Sequence, residues 1–304
     1  MNFPAIVALA LLFWQAPEPN GGGVQSGTLP RSWRTGGPTC GEAPEWEVHE
    51  YNADFVIFRE NGCVNYEKPF LFLFFGRDRC LLIDTGAGQT HVARWVSEVI
   101  GKWASNRHRE EPPLLVAHTH SHGDHISGDA QLRERANTTV VPLTLEATQK
   151  VFAISAWPED IGHIDLGDRI IDVVPIPGHD ILSIAYYDRQ TGVMLTGDSL
   201  YPGRLYIRDF PAFVKSTDRL VRFTEGKIVT HLLGNHIEET RTPYLDYKVG
   251  TKYQPDEHAL ELGRGELLEL NEALTHMKSP ARVAFRDFTI WPTGNPAAAS
   301  GSGK

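Results

Sequence analysis

The sequence predicts an α/β fold, a four-layer αβ/βα sandwich in which two face-to-face sheets carry helices on their outer sides. Three observations lead there. Short apolar runs of strand length lead in both halves of the chain. Segments with helical spacing are interspersed among them, and a histidine-rich segment follows one strand directly. The order of elements alone fits several α/β layouts, and the motifs described below decide among them.

Taken in order, strands are expected at 54–59, 70–75 and 80–83, with Gly76-Arg77-Asp78-Arg79 suited to a hairpin turn between the last two. Asp84-Thr85-Gly86-Ala87-Gly88 then breaks the strand. Val92, Trp95, Val96 and Val99 give 91–103 the spacing of an amphipathic helix. The run 114–117 reads as a buried strand that empties into the histidine segment. Further strands are expected at 138–141, 169–174, 183–187 and 193–196, the last pair joined by Asp188-Arg189-Gln190-Thr191-Gly192. Residues 210–223 read as a helix, 227–230 as a short strand, and 257–277 as a helix whose first half Gly263 and Gly265 weaken.

A chain of 304 residues accommodates one large domain with extensions. That domain is expected at 45–294, with a helical C-terminal region. Residues 1–19 read as a signal peptide or an N-terminal extension: an apolar run from Ala5 to Trp14 has no Lys or Arg before it and is too short to span a bilayer. The protein is exported, to a periplasm or the exterior, if this is a signal peptide, and cytoplasmic otherwise. Residues 20–44, rich in Gly, Pro, Ser and Thr, read as a linker or surface arm, and 295–304 as a disordered tail. The net charge of −9 argues against a nucleic-acid surface. The expected partner is a small-molecule substrate. Cys40, Cys63 and Cys80 show no metal-knuckle spacing; Cys40 with Cys63 is the expected disulfide in an exported chain, and Cys80 a small core residue.

The chemistry is concentrated in His118-Thr119-His120-Ser121-His122-Gly123-Asp124-His125. Spacings of two, two and one cannot face one way on a helix, but on a tight loop after a strand they converge. Neutral imidazoles bind zinc well, and a carboxylate adds a hard anionic ligand. The bland alternative, a surface histidine tract, does not explain the strand before it or the mixed spacing.

This segment resembles the signature of the metallo-β-lactamase superfamily, and the rest of that pattern follows in order. Asp84 in Leu82-Ile83-Asp84-Thr85-Gly86 is similar to the first motif, and His120, His122, Asp124 and His125 to the second. His179 in Pro177-Gly178-His179, Asp198 in Thr196-Gly197-Asp198 and His236 in Gly234-Asn235-His236 match the third, fourth and fifth. The resemblance implies the metallo-β-lactamase fold and a binuclear site for two Zn2+ ions. His120, His122 and His179 hold one, Asp124, His125 and His236 the other, and Asp198 bridges both, as does a hydroxide. Asp84 orients the ligand loop without binding metal, and His118 supports it from behind. Asp124 orients the nucleophile and passes a proton to the leaving group, and Tyr201 is similar to a tyrosine that supports the oxyanion in lactonases.

An Asp at the fourth motif favours a hydrolase of esters, thioesters or lactones, like hydroxyacylglutathione hydrolases and acyl-homoserine lactonases, over β-lactamases, which place Cys or Ser there. Tyr247-Lys248, Lys252-Tyr253 and the helix at 257–277 are candidates for a glutathione-binding region. Trp157, Tyr201, Tyr206, Phe210 and Phe213 are candidate pocket residues. The leading rival is a persulfide dioxygenase-like oxidoreductase with a single iron, since metal supply selects the ion as much as the ligands do. β-Lactamase side activity and a phosphodiesterase or nuclease follow, and a non-enzymatic binding role is last because every ligand position is filled.

Overall fold

Successive side chains of a strand point to opposite faces, so a strand that is apolar at every position must be covered on both sides. The computed structural model describes residues 23–294 apart from 35 and 38. β1 (Trp46–Asn52), β2 (Phe55–Glu60), β3 (Phe70–Phe75) and β4 (Cys80–Ile83) pair antiparallel in chain order. After α1 (Val92–Asn106), β5 (Leu114–Ala117) runs parallel to β4. The short helices α2 (Gly123–Ile126) and α3 (Asp129–Glu134) lead to β6 (Thr138–Val140), the last strand of this sheet.

The second half repeats the plan. After α4 (Leu145–Phe152), β7 (Gly162–Asp165), β8 (Ile170–Pro175), β9 (Ile184–Asp188) and β10 (Val193–Gly197) form an antiparallel run. β11 (Arg204–Ile207) departs to a small separate sheet, and α5 (Phe210–Phe223) crosses to β12 (His231–Gly234), parallel to β10. β13 (Glu261–Leu262) pairs with β12, and α6 (Arg264–His276) follows. β14 (Val283–Ala284) and β15 (Thr289–Pro292) complete the small sheet in the order β11-β15-β14.

Three apolar clusters fill the layers. Between the sheets, Phe72, Phe74 and Ile83 meet Val173, Tyr186 and Leu195. The alternate residues Leu71, Leu73, Phe75 and Leu82 face outward against Val92, Val96, Ile100 and Trp103 of α1. On the far side, Val174, Tyr187, Met194 and Leu232 lie under Phe213 and Leu220 of α5 and Leu267, Leu270 and Leu274 of α6. This is the αβ/βα sandwich that the sequence predicts. Cys80 belongs to the outer cluster, where burial pushes its thiol up to about 12.

Two expected elements are displaced. The strand expected at 227–230 begins just past that span, at His231–Gly234, because Leu232 and Leu233 supply the apolar pair that registers with Met194 and Leu195. The helix expected at 257–277 begins only at Arg264. Glu261 and Leu262 are taken by β12, and the Glu266 carboxylate accepts from Gly263 N at 2.7 Å, fixing the start there. The arm before β1 packs onto the sandwich: Thr28 N donates to Tyr51 O at 2.9 Å, and Trp33 meets Phe70 edge-on at 4.9 Å. Cys40 and Cys63 form a disulfide that ties this arm to the β2–β3 loop. The signal peptide or extension at 1–19 and the tail at 295–304 lie outside the described residues. No helix among the described residues is long and apolar enough to cross a membrane.

Candidate metal centre

Strand ends bring the motifs together at one edge of the sandwich. Asp84 follows β4, the segment from His118 to His125 follows β5, His179 lies just past β8, Asp198 follows β10 and His236 lies just past β12. The turn before His179 requires glycine: Gly178 has φ +147°, and a Cβ there would meet the Phe213 backbone at 2.5 Å.

Two groups of side chains converge. The ligand atoms of His120, His122 and His179 lie within 4.8 Å of one another, as do those of Asp124, His125, Asp198 and His236. His122 Nδ1 is 3.0 Å from both His120 Nε2 and His179 Nε2. Nitrogens bound tetrahedrally to one zinc ion stand roughly 3.3 Å apart, so this spacing fits a cation among the three. In the second group, Asp124 Oδ2 is 3.2 Å from both His125 Nε2 and His236 Nε2. Asp198 stands between the groups. Its Oδ1 is 3.6 Å and 3.4 Å from His125 and His236 Nε2, while its Oδ2 is 3.9 Å and 3.7 Å from His120 and His179 Nε2. Asp198 Oδ1 is buried with no hydrogen-bond partner among the described residues, a cost that a cation would remove.

The surroundings fix which ring nitrogens are free. Thr119 Oγ1 gives its only proton to Asp84 Oδ2 at 2.7 Å, so it accepts from His120 Nδ1 at 3.1 Å. His179 Nδ1 donates to Tyr206 O at 2.6 Å and His236 Nδ1 to Glu67 O at 2.9 Å. His125 Nδ1 donates to Asp84 Oδ2 at 2.9 Å. In all four the Nε2 lone pair is left facing the centre, the arrangement that raises ligand basicity. His122 is the exception: its outward Nε2 is buried without a partner among the described residues.

Electrostatics divide the histidines. Burial, then the His125 charge, hold His120 far below the ordinary imidazole range, and burial likewise lowers His122 and His179. Burial also opposes charge on Asp198, yet His236, His125 and His120 keep it well below the usual carboxylate range. His125 and His236 move the other way: burial works against their charge, but Asp124 and Asp198 raise them well above an ordinary histidine. A divalent cation in this cradle takes the place of those protons.

Other expected residues are placed differently. His118 Nε2 sits 2.8 Å from Asp129 Oδ1, which in turn holds Arg133, so His118 braces the loop from outside both groups. Tyr201 corrects the expectation of an oxyanion donor. Its hydroxyl is buried and gives its single proton to Arg204 O at 2.5 Å, with Glu238 Oε2 at 3.1 Å. Tyr201→Phe is therefore expected to lower the melting temperature while changing kcat less than about 3-fold, measured by thermal unfolding and steady-state kinetics. A kcat loss beyond about 100-fold in a folded variant would restore the oxyanion role.

A cavity of about 640 Å3 opens above the two groups. Of the aromatics expected in it, Tyr201 and Tyr206 line it; Trp157 packs on the inter-sheet core, and Phe210 and Phe213 pack under the second sheet. Of the expected glutathione-binding region, Lys248 reaches the cavity, whereas α6 packs against α5. Sequence reasoning misses Tyr66, Glu67, Arg208 and Gln254, which line the cavity from loops that carry no motif. Burial and then Asp124 push the Glu67 carboxyl up to about 7.

Comparison with known proteins agrees with this geometry. The family described as the Metallo-beta-lactamase superfamily matches residues 70–230. Acyl-coenzyme A thioesterase MBLAC2 of Bos taurus is 25% identical over 230 residues, covering 64% of this chain and 82% of that protein. Hydroxyacylglutathione hydrolase of a Chelativorans species is 30% identical over 112 residues, covering 36% of this chain and 44% of that protein. Among solved structures, the metallo-beta-lactamase from Pontibacter korlensis has a TM-score of 0.51 at 16% identity, over 76% of this chain and 100% of that one. FIM-1 from Pseudomonas aeruginosa has a TM-score of 0.51 at 15% identity, over 76% and 95%. With a family match over more than half its length, a sandwich shared with solved members and the five motifs gathered at one edge, the chain belongs to the metallo-β-lactamase superfamily.

Proposed function

We propose that the chain is a hydrolase that holds two zinc ions and cleaves a thioester, with esters and lactones as weaker substrates. The observation that carries this reading is Asp198, whose two oxygens face the two groups separately. Cys or Ser at this position would not present two such oxygens, and the two relatives described above are both named for thioester hydrolysis. His120, His122 and His179 would hold one ion, Asp124, His125 and His236 the other, with Asp198 shared. Such ions would supply Lewis acidity, lowering the pKa of a bound water to near neutrality and polarising the scissile carbonyl. Asp124 lines the cavity floor, where its carboxylate orients the water and carries a proton to the leaving sulfur. Asp84, through His125 Nδ1 and Thr119, holds the ligand loop in place.

The test is elemental analysis of the purified protein beside the His120→Ala variant, followed by a screen of thioesters, lactones and β-lactams. The expected result is about two zinc ions per chain, at least one of them lost in the variant, with thioesters turned over fastest. Chelation is expected to abolish the activity and added zinc to restore it. One iron per chain, with oxygen consumption on persulfides, would overturn the hydrolase reading.

A further inference from the structure

We infer that the protein has a second binding site, separate from the metal centre, for a small organic oxyanion: a carboxylate or a phosphate monoester carried on an apolar body. It lies in a groove of about 230 Å3 between the N-terminal arm and the chain that runs from β12 to β13. Trp33 and Tyr253 give the groove aromatic sides, and Arg31, Arg241, Glu257 and His258 supply its ionisable groups. None of its lining residues also lines the cavity over the two ligand groups. The inference therefore stands apart from the reaction proposed above.

The charges of the groove do not cancel. Its one lining carboxylate, Glu257, is buried and turned inward: its two oxygens each accept from the Arg59 guanidinium at 2.6 Å, and the buried Lys68 Nζ stands 3.7 Å from Oε1. One acid thus already serves two cations. His258 is engaged at both ring nitrogens, 2.7 Å from Ala259 O and 3.0 Å from Asp287 Oδ1. Arg31 and Arg241 are exposed, and neither forms an ion pair among the described residues, so the charge left over is positive. Arg241 spans the groove: its Nε donates to Glu257 O at 3.1 Å, and its Nη2 stands 3.5 Å from Arg31 O on the opposite wall. Its backbone is fixed, because Arg241 N donates to Asp256 O at 2.9 Å and Thr240 bridges to Glu257. A guanidinium fork held from fixed backbone beside aromatic surface suits an oxyanion with an apolar body, since little order has to be gained on binding. The volume, below the roughly 300 Å3 at which drug-sized sites begin, limits the ligand to a single ring or short chain with its charged head. Bound between Arg31 and Arg241, such an anion would fasten the arm to the chain before β13.

The experiment uses the metal-loaded full chain and three probes that share one ring: benzoate, phenyl phosphate and neutral benzamide. Amide hydrogen exchange read by mass spectrometry locates the binding, because an anion taken up at the metal centre does not contact the arm. At least one of the two anions is expected to slow exchange about 3-fold or more in both 28–34 and 253–258, saturating with a Kd on the order of 1 mM. The anion that binds more tightly assigns the charged head as carboxylate or phosphate. Benzamide should bind about 10-fold more weakly than that anion. Arg241→Gln, which is expected to keep the wild-type metal content, should weaken the anion about 10-fold, and Arg31→Gln about 3-fold. Protection by neither anion, equal protection by benzamide, or protection unchanged in both variants would overturn the inference. If Arg241→Gln fails to fold, Arg31→Gln decides the matter: weakened protection upholds the site and unchanged protection overturns it.

Discussion

Asp198→Ala is expected to leave the protein with one metal ion or fewer per chain and to cut thioester hydrolysis at least ~1000-fold, about 4 kcal/mol of transition-state stabilisation. Among the described residues, no other side chain faces both groups of ligands through separate oxygens. Its loss removes an anion from beside four imidazoles, so both sites lose charge compensation as well as a ligand. Asp198→Asn separates the two effects. An amide keeps the shape but has one oxygen and one NH2, and the NH2 cannot ligate a cation. It is therefore expected to serve one group only and to retain about one ion. Elemental analysis beside kcat/KM decides the matter. Two ions per chain with activity within about 10-fold of wild type in the alanine variant would mean that the groups are held independently.

The strands that read most clearly in the sequence are those whose two faces are both buried. Phe70–Phe75, Cys80–Ile83 and Leu114–Ala117 are apolar at nearly every position and end at turn residues, so their limits coincide with expectation. The helix Phe210–Phe223 is equally clear, because Asp209 caps it and a proline follows within its first turn. β1 is missed because its polar residues Glu47, His49 and Glu50 interrupt the apolar signal on an edge strand. β11 and β15 are missed because they pair with each other, far apart in sequence, in a small sheet, a long-range choice that local pattern does not record.

The site shows the same division. The motif residues are legible because each follows a strand and has ligand chemistry, and strand ends on one edge must meet once the sheets stack. Asp198 reads as a shared ligand because a carboxylate has two oxygens, and in the structure Oδ1 stands 3.6 Å and 3.4 Å from His125 and His236 while Oδ2 stands 3.9 Å and 3.7 Å from His120 and His179. For Tyr201, residue type and spacing do not say where a hydroxyl proton goes; here Arg204 O accepts it. Glu67 and Arg208 carry no motif. They reach the cavity because the β2–β3 loop and the end of β11 are held there by His236 and by Gly178 O, contacts across more than a hundred residues in the first case.

Replacing Asp84 should separate stability from metal binding, because this carboxylate acts on the ligands without touching the centre. It is completely buried and accepts from Thr119 N at 2.7 Å, Thr119 Oγ1 at 2.7 Å, His125 Nδ1 at 2.9 Å and Asn235 Nδ2 at 2.8 Å. Asp84→Ala strands all of these donors in the interior and is expected to destabilise the fold by about 3–5 kcal/mol. The backbone adds to this: Asp84 has φ +66°, a left-handed conformation that Asn tolerates and Ala does not favour. Asp84→Asn keeps that conformation and one acceptor oxygen, so its loss of stability should be smaller. Its NH2, however, must face some of the same donors. Thr119 Oγ1, His125 Nδ1 and Asn235 Nδ2 all donate to Oδ2, whereas Oδ1 accepts from Thr119 N alone, so the amide sets its oxygen in the Oδ2 position and its NH2 against Thr119 N. The ligand tautomers are then kept, but a neutral oxygen supports His125 Nδ1 less than a carboxylate does, and metal affinity should fall about 10-fold although the fold survives. Chemical denaturation and competitive zinc titration of the two variants test this together. An Asn variant with wild-type zinc affinity would show that Asp84 contributes packing alone, whereas weakened affinity in a protein that still unfolds cooperatively would establish that its charge acts on the ligands through His125.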